Sequence, residues 1–197
     1  NDLHGSVDIL VNNAGVSLLG LFKRYSSEDI DWILDVNIRG VMYGCHAFLP
    51  YLLNSNNGHI VNISSLAGDV PLPSTSVYVA SKHAIRGFSL SLRMELKTDR
   101  IGVTAILPGM YKSNLIKNGR NYDEPGAEVI DESIKFQQNA KSAEHVANLV
   151  LKGIVKNSAE IRCGLDSFFL RWIYRLSPRL LHRLMLYNIS QMAKKKK

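Results

Sequence analysis

Three side chains near the middle of the chain have the residue types and the spacing that proton-transfer chemistry needs. Tyr78 and Lys82 are four residues apart, and Ser65 lies thirteen residues before the tyrosine. Side chains at that spacing share one face of a helix, so the ammonium would favour the phenolate and lower a phenol pKa of about 10. A serine hydroxyl beside the pair could hydrogen-bond the substrate oxygen that the tyrosine protonates or deprotonates. Seen alone, a Tyr–Lys pair at this spacing is common on amphipathic helix surfaces.

The elements that must position these side chains alternate between strands and helices. Ser65 closes an apolar run typical of a buried parallel strand, and the carboxyl ends of such strands are where open α/β sheets place chemistry. The alternation predicts a parallel sheet covered by helices on both faces. The predicted elements are a strand over Val7–Val11, a helix from Ser26 or Ser27 to about Leu53, a strand over His59–Ile63, a helix over Ser76–Lys97, a strand over Arg100–Leu107, a helix from Ser142 to about Lys156 and a short strand over Glu160–Gly164. The polar, weakly periodic stretch from Met110 to Asn139 predicts a mobile lid.

Length and composition exclude several classes of protein. A chain of 197 residues with 46% hydrophobic and 21% charged residues is typical of one globular domain with a sizeable core. Cys45 and Cys163 have neither metal-ligand nor redox spacing, and the six histidines form no paired motif, so no metal site is expected. No apolar run reaches the roughly 18 residues of a membrane span, and the N-terminus does not resemble a secretory signal.

The net charge of +7 lies entirely in the last part of the chain. Residues 165–197 hold eight of the 24 basic residues and one of the 17 acidic ones, so the part before them is neutral. Large apolar residues alternate there with arginines, and Pro178 divides the segment into two short helices. This pattern predicts a tail on an anionic membrane surface; the alternative is docking on the protein's own body or across a dimer. Nucleic acid suits such alternation poorly, so no nucleic-acid partner is expected.

Two lysines near the C-terminus bear on location. Lys194 and Lys195 are the fourth and third residues from the end and resemble a dilysine retrieval signal of endoplasmic-reticulum membrane proteins. They predict an intracellular protein in the cytoplasm or at the cytosolic face of that membrane.

Five short motifs occur together in a fixed order. They are Asn-Asn-Ala-Gly at 12–15, Asn37 in Val-Asn-Ile-Arg-Gly, Ser65 in Asn-Ile-Ser-Ser, Tyr78 and Lys82 in Tyr-Val-Ala-Ser-Lys, and Pro108-Gly109. With these motifs the chain resembles the short-chain dehydrogenase/reductase family over roughly Val7 to Gly164. The resemblance implies a Rossmann-like catalytic domain at 1–164, followed by the basic helical tail at 165–197. It also implies hydride transfer between NAD or NADP and an alcohol or carbonyl, usually by a homo-oligomer (a dimer or tetramer).

The resemblance assigns roles to individual residues. Tyr78 would be the general acid/base, Lys82 would lower the tyrosine pKa and hold the nicotinamide ribose, Ser65 would polarise the substrate oxygen, and Asn37 would hold a water of a proton relay. The cofactor would be lined by Asn12, Asn13, Ala14 and Gly15 on the adenosine side, and by Pro108, Gly109 and Ser113 at the nicotinamide end. Three alternatives stay open: Ser64 as the functional hydroxyl, Asn37 as an ordinary polar helix residue, and 12–15 as a simple turn.

One family feature is absent from these residues. The fourteen glycines include no Gly-x-x-x-Gly-x-Gly turn to cradle a pyrophosphate. The expectation is therefore a sheet that lacks the first strands of the cofactor half, with Val7–Val11 as an exposed edge, in a fragment or truncated form. A catalytically inactive product that acts through partner or membrane binding is the alternative function. For substrate, the apolar residues Val70, Leu72, Met110, Tyr111 and Leu115 favour a lipid, steroid or retinoid carbonyl over a sugar.

Overall fold

The computed structural model describes residues 6–122, 135, 137 and 140–194, without the side chains of 165, 166 and 188–194. Four parallel strands lie side by side in the main sheet, in the order β1 (Ile9–Asn12), β3 (His59–Ile63), β4 (Gly102–Pro108) and β6 (Glu160–Cys163). The strands β2 (Leu18–Leu19) and β5 (Arg120–Asn121) belong to a second, smaller sheet. The register aligns Val11 with Val61, Ile63 with Ile106, and Pro108 with Cys163, so all carboxyl ends lie at one edge.

Helices cover both faces of this sheet, which confirms the predicted fold class. The helices are α1 (Ser27–Leu34), α2 (Gly40–Leu53), α3 (Ser76–Glu95), α4 (Ala143–Val155), α5 (Leu165–Leu176) and α6 (Pro178–Lys194). Ile60 and Val103 pack with α2 and α3 on one face. Val61 and Ile106 pack with α4 on the other. Because both faces of β3 and β4 are buried, these two strands consist largely of consecutive apolar residues.

Two predicted boundaries were wrong. The helix expected from Ser26 or Ser27 to Leu53 is interrupted by a π-helical segment over Asp35–Arg39, which separates α1 from α2. Ser26 caps α1 by accepting a hydrogen bond from the Asp29 amide, as a capping box requires. The third strand of the sheet begins at Gly102 because Arg100 has a positive φ of 59°, a left-handed conformation that no strand residue adopts.

The stretch predicted as a lid differs in its first part from that expectation. A second sheet pairs β2 (Leu18–Leu19) in parallel with β5 (Arg120–Asn121). Tyr111 and Ile116 are buried, so residues 110–122 pack on the body. The rest of the predicted lid lies almost wholly outside the described residues.

The tail forms the two predicted helices, and they have two different faces. Leu181, which is 1% exposed, packs against Leu66 and Val70 on the body of the protein, with further contacts from the tail. The outward face exposes eight large apolar residues: Phe168, Phe169, Trp172, Leu176, Leu180, Leu184, Leu186 and Tyr187. Within the described part of the chain, no helix has the length and hydropathy needed to cross a membrane.

Candidate active site

A cleft of about 780 Å³ opens at the carboxyl ends of β1, β3 and β4. It lies where the topology of an open α/β sheet predicts a ligand site. Eight of the predicted site residues line it: Asn13, Gly15, Ser65, Tyr78, Lys82, Pro108, Gly109 and Ser113. The structure therefore brings together residues that are up to 100 positions apart in the chain.

Tyr78 and Lys82 occupy the first two turns of α3 and are almost fully buried. The Lys82 Nζ donates a hydrogen bond to the Ile63 carbonyl at 3.1 Å and lies 5.7 Å from the centroid of the Tyr78 ring. Burial lowers the pKa of Lys82 to about 8, because a desolvated ammonium is disfavoured. The pair shares one helix face, as its spacing predicted.

Burial sets the net direction of the Tyr78 pKa. It raises that pKa, because it removes water that would stabilise a phenolate. A side-chain hydrogen bond from Ser65 acts in the opposite direction and favours the phenolate. The role of Lys82 in lowering the pKa of Tyr78 stays a prediction.

The two adjacent serines have different environments. The Ser65 hydroxyl bonds Tyr78 and accepts a hydrogen bond from the Ala67 amide at 3.1 Å, which caps a short 3-10 turn. The Ser64 hydroxyl instead donates to the Lys82 carbonyl at 2.8 Å and is buried. It joins the end of β3 to α3, so this geometry favours Ser65 over Ser64 as the group that meets a substrate.

Asn37 is completely buried within the π-helical segment. Its side-chain oxygen accepts from the Val16 amide at 2.8 Å, and its NH₂ donates to the Val16 carbonyl at 2.9 Å and to Ser81 Oγ at 3.1 Å. Both hydrogens of the amide are used by the protein itself. A water of a proton relay at Asn37 would bind through the main chain or the remaining lone pair of Oδ1. π-Helical turns are frequent at functional sites.

Asn-Asn-Ala-Gly at 12–15 divides into residues with different surroundings. Asn12 lies outside the cleft lining and donates to Asn62 Oδ1 at 2.8 Å, which connects β1 to β3. Asn13 and Ala14 are exposed, and only Asn13 of these two lines the cleft. A Cβ at Gly15 would lie 3.3 Å from Lys82 Nζ and 3.4 Å from Asn37 Oδ1, so the glycine lets this turn approach both polar groups.

The predicted nicotinamide-end residues lie at the opposite side of the same cleft. Pro108 ends β4, and the Gly109 amide donates to the Cys163 carbonyl at 2.8 Å. The Ser113 hydroxyl accepts from the Leu115 amide at 3.2 Å and from Gln137 Nε2 at 2.8 Å. These contacts hold the segment that follows β4 against the cleft.

Sequence reasoning missed two groups near the site. Gln137 and the α4 residues Val146 and Val150 line the cleft, although no motif singles them out. Asp69 ends the turn that Ser65 begins, and it bonds arginines from distant elements. No local sequence pattern predicts which distant arginines bond Asp69. The one indication in the sequence was a charged residue just after the serine motif.

The chemistry that the cleft supports is proton transfer at an oxygen. A phenol, a hydroxyl and an ammonium converge there, and the described residues contain no group of histidine, cysteine and carboxylate side chains arranged to hold a metal ion. Burial raises the pKa of both cysteine thiols, to about 11 for Cys163, so neither is an activated nucleophile.

Comparison with known proteins gives consistent results. The short chain dehydrogenase family model matches residues 1–124. A Mycobacterium tuberculosis protein named as an oxidoreductase, SadH, is 36% identical over 165 residues, which are 83% of this chain and 60% of that protein. Dehydrogenase/reductase SDR family member 7B of Xenopus laevis is 34% identical over 184 residues, 93% of this chain and 56% of the relative.

Solved structures show the same fold. A short chain dehydrogenase/reductase from Burkholderia phymatum in complex with NAD superposes with a TM-score of 0.80 at 25% identity, over 91% of this chain and 69% of that one. Serine dehydrogenase complexed with NADP⁺ gives a TM-score of 0.67 at 34% identity, over 80% and 64% of the two chains.

With the fold, the cleft and these similarities in place, the chain belongs to the short-chain dehydrogenase/reductase family of oxidoreductases. It spans about 60% of the length of the curated relatives described here.

Proposed function

We propose that the protein, in its full-length form, transfers a hydride between a nicotinamide cofactor and an alcohol or carbonyl substrate. The observation that carries this proposal is the buried Tyr78 phenol, hydrogen-bonded by Ser65 and neighboured by the Lys82 ammonium in one cleft. Proton transfer to and from an oxygen is the chemistry that these three groups share.

In the reducing direction Tyr78 gives its proton to the substrate oxygen. Ser65 hydrogen-bonds that oxygen and holds it beside the phenol. In the oxidising direction the Tyr78 phenolate takes the proton of the alcohol and becomes the phenol, while Ser65 hydrogen-bonds the substrate oxygen. Because burial raises the pKa of Tyr78, the phenol stays protonated at neutral pH and has a proton to give. Alcohol oxidation needs the phenolate, which higher pH favours.

Lys82 and Asn37 support this step from the side of α3 and the π-helical segment. The buried ammonium of Lys82 is disfavoured by desolvation, so its charge depends on the carbonyl of Ile63 and on any acceptor that enters the cleft. Asn37 donates a hydrogen bond to Ser81, and its Oδ1 lies close to Gly15, which also approaches Lys82. There Asn37 would hold the water that returns protons from solvent.

The residues present fit the nicotinamide half of NAD or NADP. The cleft volume, the buried ammonium and a glycine turn that leaves room next to it suit a ribose and a flat ring. Lys82 and Tyr78 would hold the ribose hydroxyls, and Pro108, Gly109 and Ser113 would contact the ring. Of the turn at 12–15, Asn13 and Gly15 would face the adenosine side, since Asn12 and Ala14 lie outside the cleft lining. When bound, the cofactor supplies or accepts the hydride.

The cleft favours a substrate with an apolar body. Tyr111 and Leu115 line it, whereas Val70, Leu72 and Met110, which were also expected there from sequence, lie outside its lining. Val70 is instead buried beside Leu181 of the tail. A lipid, steroid or retinoid carbonyl would be preferred over a sugar, because the apolar side chains on the wall can bury an apolar body.

The test is turnover of NADH or NADPH by the full-length protein with a panel of apolar carbonyls and sugars. Turnover that disappears in the Tyr78→Phe variant supports the proposal. Absence of turnover in a well-folded protein favours the alternative, a catalytically inactive product that works through partner or membrane binding.

A second proposal concerns the tail, which we infer binds an anionic membrane surface. Eight large apolar side chains face outward from α5 and α6, and Arg175, Arg179 and Arg183 are exposed beside them. Apolar groups flanked by arginines match the acyl boundary and the anionic headgroups of a bilayer. The inner face of the tail packs on the body of the protein, which is the alternative that the sequence left open. The membrane proposal therefore concerns only the outward face.

Vesicle co-sedimentation tests this proposal. The intact chain should sediment with anionic vesicles and less with neutral ones, and deletion after Gly164 should abolish sedimentation. Phe169→Ser combined with Trp172→Ser should weaken it, whereas Met94→Ser, which removes an exposed apolar side chain from α3, should leave it unchanged. Equal sedimentation of the intact and deleted chains would contradict the proposal.

Location in the cytoplasm or at the cytosolic face of the endoplasmic reticulum stays a prediction from the sequence. A homo-oligomer, a dimer or tetramer, stays a prediction from the family resemblance.

A further inference from the structure

Asp69 is the last residue of the turn that begins at Ser65. The Gly68 amide donates to the Ser65 carbonyl at 2.9 Å, and the Asp69 amide donates to the Leu66 carbonyl at 2.9 Å. A Cβ at Gly68 would lie 2.4 Å from Ser64 Oγ and 2.7 Å from the Lys82 carbonyl, so the turn is pressed against α3. Ser65 and Asp69 are thus the two ends of one tight unit, and a shift at one end moves the other.

The Asp69 carboxylate, with a side chain only 8% exposed, meets arginines from three elements. Arg162 of β6 bonds it at 2.8 Å, Arg86 of α3 lies at 3.5 Å, and Arg171 of α5 lies at 3.7 Å. Glu160 of β6 pairs with Arg86 and with Arg162, the latter at 2.9 Å. A buried network with several satisfied partners fixes geometry in a way that an isolated surface pair does not.

Apolar packing from the tail reaches the same turn. Leu181 of α6 is 1% exposed and contacts Leu66 and Val70, which lie on the two sides of Gly68. The tail therefore holds the turn twice, through the charge of Arg171 and through the side chain of Leu181. None of the residues in these two contacts lines the cleft.

We propose that Asp69 is a positioning residue for Ser65, and that the seating of α5 and α6 on this turn sets the Ser65 hydroxyl against Tyr78. The tail is then a structural part of the active site as well as a surface. This inference rests on the proposed oxidoreductase function for its consequence in catalysis. Its structural core, that the tail restrains the serine turn, stands independently of activity.

Hydrogen exchange on the 197-residue chain tests that structural core. Arg171→Gln should raise the exchange rates of the Gly68, Asp69 and Val70 amides roughly tenfold. Exchange in β4 should stay unchanged. Arg175→Gln, at an exposed position four residues later on α5, is the matched control and should leave all of these rates unchanged. Equal exchange in the two variants would overturn the proposal. Leu181→Ala removes the apolar contact of the tail with Leu66 and Val70 and should raise the same exchange rates.

A double-mutant cycle in the full-length enzyme tests the catalytic consequence. If Asp69 acts through Ser65, Asp69→Asn should lower kcat in the wild-type background and have little further effect in a Ser65→Ala background. The KM for the cofactor should not change, since the turn lies on the substrate side. Losses that add independently in the two backgrounds would overturn the positioning role. If the full-length protein shows no turnover, the proposed function fails while the exchange result still decides the restraint.

Discussion

The two walls of the cleft differ in how the protein holds them. On the catalytic wall, made by Ser65, Tyr78 and Lys82, the tyrosine and the lysine are buried, and all three side chains are hydrogen-bonded or in close contact. On the β1 wall, Asn13 and Ala14 are exposed, and Val11 is 47% exposed. The protein must hold the groups that perform proton transfer in place before the substrate binds. Groups that only cover a ligand can become ordered when the ligand binds. The difference supports the proposal that the wall with Ser65, Tyr78 and Lys82 performs the proton transfer, while the β1 wall is open to a ligand.

The largest expected effect concerns the β1 wall. The 197-residue chain should not bind NADH or NADPH with a Kd below about 100 µM, which corresponds to about 5.5 kcal/mol. These residues contain no Gly-x-x-x-Gly-x-Gly turn, so several charge-assisted hydrogen bonds to the phosphates are not made, a loss of roughly 4–9 kcal/mol for three bonds. Fluorescence titration measures this, with Lys82→Met as a control for nonspecific signal. Tighter binding would show that the β1 wall is sufficient as it stands.

The next effect belongs to the catalytic wall. In the full-length enzyme, Tyr78→Phe should lower kcat by about 10²–10⁴, the contribution of a general acid, and leave the fold intact. Tyr43→Phe, at a tyrosine that is 68% exposed on α2, is the matched control and should be neutral. Retention of more than about a tenth of the activity by Tyr78→Phe would remove the tyrosine from this role.

A smaller effect follows from the burial of Lys82. Its pKa is lowered from 10.5 to about 8, so between these values the unfolded chain binds a proton that the folded chain does not. The free energy of unfolding should therefore rise with pH across this window, by on the order of 3 kcal/mol in all. Urea unfolding of the wild type and of Lys82→Met, compared at several pH values, measures the difference. The free energy of unfolding of Lys97→Met, at an exposed position, should depend on pH as that of the wild type does. If Lys82→Met also showed the pH dependence of the wild type, the lowered pKa of Lys82 would be contradicted.

The smallest effect separates the two serines. Ser64→Ala removes the buried hydrogen bond to the Lys82 carbonyl and should lower the free energy of unfolding by about 1 kcal/mol. Its effect on kcat should be small. Ser65→Ala also removes a hydrogen bond, the cap from the Ala67 amide, so the measurement that separates the two variants is kcat, which Ser65→Ala should clearly lower. If the pattern were exchanged between them, Ser64 would be the functional hydroxyl.

Much of the sheet and the catalytic wall could be predicted from sequence. Apolar runs and helical periodicity are local signals, so the strands, their order of appearance and α3 followed from them. The motif residues Ser65, Tyr78 and Lys82 lie together in the cleft as expected. The boundaries failed where one residue decided them, as the positive φ of Arg100 did at the start of β4.

Tertiary structure alone decided how each polar group is used. Asn12 joins two strands while Asn13 lines the cleft, although the two are neighbours in one motif. The net direction of the Tyr78 pKa follows from burial that no spacing reports. Arg162 meets Asp69 across 93 positions, and Leu181 meets Leu66 and Val70 across more than a hundred. A sequence determines which residues have helical or strand periodicity; which distant side chains meet depends on the packing of the whole chain, because long-range contacts leave no local pattern.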